Sequence, residues 1–65
     1  MTQSASILHH LQERGSITPM QALNDYGCFR LAARINDLRN AGHVIHTEHV
    51  LNSGRTYARY WMDLP

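Results

Sequence analysis

Lysine is absent from this sequence, cysteine occurs once and proline twice. A lone Cys28 cannot close an intramolecular disulfide. With no paired cysteine spacing there is neither a zinc ribbon nor a dithiol redox motif, and a reducing, cytoplasmic setting is expected. No apolar run approaches the roughly 20 residues of a membrane span. Residues 1–6 lack the basic start and apolar stretch of a signal peptide, so no membrane association is expected. There is no glycine-rich phosphate loop, no paired carboxylate set and no nucleophile with a recognisable base. The chain therefore reads as non-enzymatic and implies no cofactor. A formal net charge of only +1 is poor support for a polyanion partner, because phosphate binding ordinarily draws on a clear basic excess.

What is present has the composition of a folded domain. The chain is 43% hydrophobic and 17% charged, which separates it from a disordered tail, and 65 residues have room for one hydrophobic core. Residues 1–65 are read as one domain. The charges are unevenly placed. Arg30, Arg34, Arg39, Arg55 and Arg59 follow position 27 against Asp37, Glu48 and Asp63, so the C-terminal half is net basic. Arginine without lysine suits bidentate recognition of phosphate or guanine better than diffuse attraction.

The spacing of apolar residues predicts three helices and then two strands. Ser4 or Ser6 caps a first helix with Ile7, Leu8 and Leu11 on one face, ending at Gly15. Ser16 and Ile17 read as a strand-like pair. Thr18 then caps a second helix over 19–25, where Pro19 sits at the first position and Met20 and Leu23 point inward. Tyr26-Gly27 closes it through a left-handed glycine. A third helix runs from 28 or 29 to about 40, with Leu31, Ile35 and Leu38 on its inward stripe, and stops at Gly42. Two helices joined by so short a glycine-containing turn form a helix-turn-helix. Residues 43–50 then read as a strand, 52–54 as a turn and 55–62 as a second strand. On that strand Thr56, Ala58, Tyr60 and Met62 face inward, and Arg55, Tyr57, Arg59 and Trp61 outward. The expected core is Ile7, Leu11, Leu23, Leu31, Ile35, Leu38 and Tyr60.

The segment from Ser16 to Leu23, Tyr26-Gly27 before the run Arg30-Leu31-Ala32-Ala33-Arg34-Ile35, Asp37-Leu38-Arg39 before Gly42, and Arg55 to Tyr60 carry a family resemblance. The chain resembles the small winged helix-turn-helix proteins common in bacteriophages and prophages. The resemblance spans about residues 7–62. It implies a mainly α fold with a β-hairpin (α+β), three helices followed by a two-stranded wing, and a DNA-binding role in a bacterial host cell.

An α-helix fits the major groove, and early residues of a recognition helix meet base edges. Phe29, Arg30, Ala33, Arg34 and Asp37 are the candidates on the third helix. Arg34 is the first choice for a base contact, Arg30 for a base or a phosphate, and Asp37 for a salt bridge that orients Arg34. Arg39 faces away from this stripe and is expected to pair with an acid or with the helix C-terminus. In the hairpin, Asn52, Ser53, Gly54, Arg55 and Arg59 suit backbone contacts, and Thr18 can meet a phosphate at the start of the second helix. His43, His46 and His49, spaced three apart on a strand, do not converge on one metal ion, and His9 and His10 diverge on their helix; all five read as surface histidines. Cys28 reads as a packed residue. A basic patch this small binds weakly as one copy, so a homodimer or cooperative assembly on double-stranded DNA is expected, with Trp61 and Tyr57 as a self-association surface. The competing reading is a winged helix that binds a host protein and never touches DNA.

Overall fold

A computed structural model describes residues 2–63. In chain order it contains α1 (Gln3–Arg14), β1 (Ser16–Ile17), α2 (Pro19–Tyr26), α3 (Leu31–Asn40), β2 (His46–Asn52) and β3 (Arg55–Trp61). Thr2, rather than Ser4 or Ser6, caps α1: its hydroxyl accepts the Ala5 N–H at 3.1 Å, and the helix is already under way at both serines. α2 starts as expected. Thr18 Oγ1 accepts the Gln21 N–H, and the Gln21 side chain returns a bond to the Thr18 N–H, so two otherwise orphaned donors are satisfied.

The turn into α3 is longer than the sequence suggested. Gly27 adopts φ +63, which lets the chain reverse so that the Cys28 N–H reaches the Ala22 carbonyl and the Cys28 side chain is buried. Anchored in this way, the chain reaches helical geometry only at Leu31. Phe29 thus lies in the turn, and Arg30 is the N-cap residue instead of sitting inside the helix.

Asn52 and Arg55 close a two-residue turn in which Ser53 and Gly54 both have positive φ, a geometry whose twist matches a right-handed hairpin. This turn fixes the register from Asn52↔Arg55 to His46↔Trp61, so β2 covers 46–52 and not 43–50. β1 adds to β3 with Ser16↔Trp61 and Ile17↔Tyr60, giving an antiparallel sheet of order β1-β3-β2 instead of an isolated hairpin.

The core gathers Ile7 and Leu11 from α1, Ile17, Ala22, Cys28, the α3 stripe Leu31, Ile35 and Leu38, then Ile45 and Tyr60. Leu23 and Met20 are not in it. β1 pairing sets the entry of α2 so that Ala22 and Tyr26, four residues apart, turn toward α1, which leaves Met20 65% exposed and Leu23 at the surface. Thr56, expected inward, is also exposed, because the start of β3 projects with the turn beyond the core; Ala58 and Met62 pack against the core as expected. His10 is buried at 6% exposure, which corrects the reading of all five histidines as surface residues.

Candidate nucleic-acid interface

Leu31, Ile35 and Leu38 anchor α3 in the core, and of the expected candidates Ala33, Arg34 and Asp37 lie on the helix itself, with Phe29 and Arg30 ahead of it. Arg34 Nε donates to Asp37 Oδ2 at 3.0 Å, three residues on. This bond takes the inner nitrogen of the guanidinium and leaves its two terminal NH2 groups for a ligand. Ala33 beside it is half-buried and presents little bulk. Arg30 is exposed at the head of the helix and makes no ion pair among the described residues. Phe29 is 86% exposed in the turn.

Two arginines are committed elsewhere. Arg39 neither pairs with an acid nor caps its own helix. Its Nε and a terminal nitrogen donate to the Ile45 carbonyl at 3.0 and 2.6 Å, and the same terminal nitrogen donates to Thr47 Oγ1 at 2.8 Å. The ladder leaves the Ile45 carbonyl unpaired at the head of β2, and a guanidinium in the last turn of α3 is placed to satisfy it. Arg59 forms an ion pair with Glu48, its cross-strand neighbour in the register. That pair lowers its capacity for phosphate. Only sequence-distant register information reveals it.

At the other end of the wing, Ser53 and Arg55 are exposed and Arg55 is unpaired among the described residues. Thr18 is half-buried and occupied in the capping box. Thr18, Pro19 and Met20 line a groove together with Asn52 and Tyr57, so the start of α2 and the wing share one surface. Sequence reading did not bring these together. Trp61 is half-buried rather than free, with its ring 4.2 Å from that of His46, which in turn lies 3.4 Å from Asp63.

Away from this surface, His10 joins α1 to α2. Its Nδ1 is 2.9 Å from the Tyr26 hydroxyl, and the two rings meet edge to face. Burial lowers its pKa below the ordinary 6.5 despite the opposing charge of Asp25, with Arg14 and His9 adding to the depression. Among the described residues no cluster of three or more His, Cys, Asp or Glu side chains is placed to hold a metal ion. Nor is any helix there long and apolar enough to cross a membrane.

Residues 2–64 match the family described as the winged helix-turn-helix domain. The chain belongs to that family. Its three helices and antiparallel wing are the family's α+β architecture, and winged helix-turn-helix domains are typically non-enzymatic DNA-binding modules. Neither the curated proteins nor the solved structures contain a match to the chain.

Proposed function

We propose that the protein is a regulator or accessory factor of a phage or prophage, working as one domain in the cytoplasm of a bacterial host cell. It reads the major groove of double-stranded DNA with α3 and holds the backbone with the wing. The observation that carries this reading is the Arg34–Asp37 bond, which orients a guanidinium on the outward side of the helix and leaves its bidentate end open. Arg34 takes a base edge and Arg30 a base or phosphate. Ala33 permits close approach, and Phe29 packs on the sugar edge. Ser53 and Arg55 meet the backbone from the wing, and Thr18 does so at the start of α2. Arg59 contributes only if it leaves Glu48. Binding as a pair of copies adds the affinity that one small patch lacks.

The test compares two variants on a duplex selected from a random pool and on random duplex. Arg34→Ala is expected to weaken selected-site binding by about 1 to 3 kcal/mol while sparing random DNA. Arg55→Ala weakens both alike, since a phosphate contact carries no sequence information. An unchanged selected-to-random ratio for Arg34→Ala removes the base-reading role. The exposed Phe29 favours a second reading, docking on a host protein. Absence of binding to any duplex at low salt decides for it.

A further inference from the structure

The sheet order leaves β2 paired on one side only. Because Asn52 and Arg55 close the two-residue turn, theirs is a hydrogen-bonded pair, and by alternation so are Val50↔Tyr57, Glu48↔Arg59 and His46↔Trp61. The N–H and C=O groups of Thr47, His49 and Leu51 therefore point away from β3. Among the described residues no hydrogen bond outside the ladder reaches them. Arg39 guards only the head of this edge, at the Ile45 carbonyl and the Thr47 hydroxyl. From Thr47 to Leu51 there is no proline, glycine, lysine or bulge, and Glu48 is neutralised by Arg59 on its own sheet. An edge with none of these protections is a template for another strand.

We propose that the β2 edge pairs antiparallel with the β2 edge of a second copy of this chain, about a two-fold axis at His49. Four registers compete. Centring on Val50 sets the Thr47 groups opposite Ser53, in the turn, and leaves them without a strand partner. Centring on Glu48 sets Leu51 against Ile45, whose carbonyl Arg39 already occupies. Centring on Thr47 requires the Ile45 carbonyl, which Arg39 already occupies. Centring on His49 uses every free group of Thr47, His49 and Leu51, leaves the Arg39 contacts intact, and lays Thr47 of each copy against Leu51 of the other. Leu51 is 74% exposed in the single chain, and this contact covers it. The two-fold runs perpendicular to the sheet, so both helical layers lie on the same side of one continuous sheet. The strip falls well short of the roughly 1,200 Å² of a standard stable interface, so the pair is weak and concentration-dependent. It concerns the free protein and stands whether or not the protein binds DNA.

Sedimentation of the DNA-free protein from about 10 µM to about 1 mM tests this directly. Self-association is expected over that range, with the Thr47, His49 and Leu51 amides slowing in hydrogen exchange by about tenfold at the upper end. A mixed sample of labelled and unlabelled chains should give a nuclear Overhauser contact between Glu48 Hα and the Val50 Hα of the second copy. His49→Lys and His49→Glu, at an exposed position, should each abolish association, and their equimolar mixture should restore it. A wild-type chain that stays monomeric at about 1 mM overturns the self-pairing and leaves the edge to a strand from another protein. Association through the Trp61 and Tyr57 face, or a mixture of the two variants that stays monomeric, overturns it equally.

Discussion

Among individual residues, burial separates side chains that the apolar pattern treats alike. Ile35 is fully buried, so Ile35→Ala is expected to cost about 2 to 5 kcal/mol in urea unfolding, a large part of the stability of so small a domain. Met20→Ala, at a position read as inward from the sequence, should change stability by no more than about 0.5 kcal/mol. His10 adds a pH dependence. Its folded pKa lies below 6.5, so the unfolded chain binds the proton more readily. The stabilisation is present above about pH 6.5 and is lost as pH falls from there toward the folded pKa. The melting temperature should drop between about pH 7 and about pH 5, and His10→Gln, which keeps a hydrogen-bonding partner for Tyr26, should flatten that profile. A parallel profile for the variant would place the pH response on other groups.

For the elements, the start of α2 and the wing turn were legible, whereas the cap of α1, the start of α3 and the bounds of β2 were not. Thr18 with Pro19 and Gln21 fixes the start of α2, and Thr18→Ala should cost about 1 kcal/mol by chemical denaturation. The wing turn holds Ser53 at φ +54, where serine is disfavoured and asparagine is at home. Ser53→Asn is expected to add about 0.5 to 1 kcal/mol, read as a higher melting temperature, without altering the register. The face of α2 was not legible, because an eight-residue helix makes barely two turns and Met20, Ala22, Leu23 and Tyr26 admit more than one apolar stripe. The longer α3, with Leu31, Ile35 and Leu38 in strict spacing, left no such choice.

For the whole molecule, charge on the side proposed to face DNA is thinner than the arginine count suggests. Arg39 and Arg59 are engaged within the fold, which leaves Arg30, Arg34 and Arg55 for phosphates and bases. Because Arg34 is assigned to a base edge, the slope of log affinity against log salt should correspond to about one to two ion releases per copy, from Arg55 and from Arg30 where it takes a phosphate, each contributing about 0.9. Arg55→Ala should lower the slope by about 0.9 and Arg59→Ala should leave it nearly unchanged, measured by fluorescence anisotropy on a labelled duplex. Equal effects of the two would mean that the Glu48 pair opens on binding.

The order of the elements, the helix-turn-helix, the hairpin and the Arg34–Asp37 pair were set by the sequence itself. They rest on local physics: periodicity, caps, turn residues and neighbours three or four apart on a helix. The pairing of Ser16–Ile17 with β3, the burial of His10 and Ile45, the outward turn of Leu23 and the partners of Arg39 and Arg59 were decided only by the tertiary structure. Each depends on which distant segment lies alongside. A strand-like pair as short as Ser16–Ile17 does not name its partner strand, and an arginine meets a carbonyl or a carboxylate according to the register that the wing turn imposes.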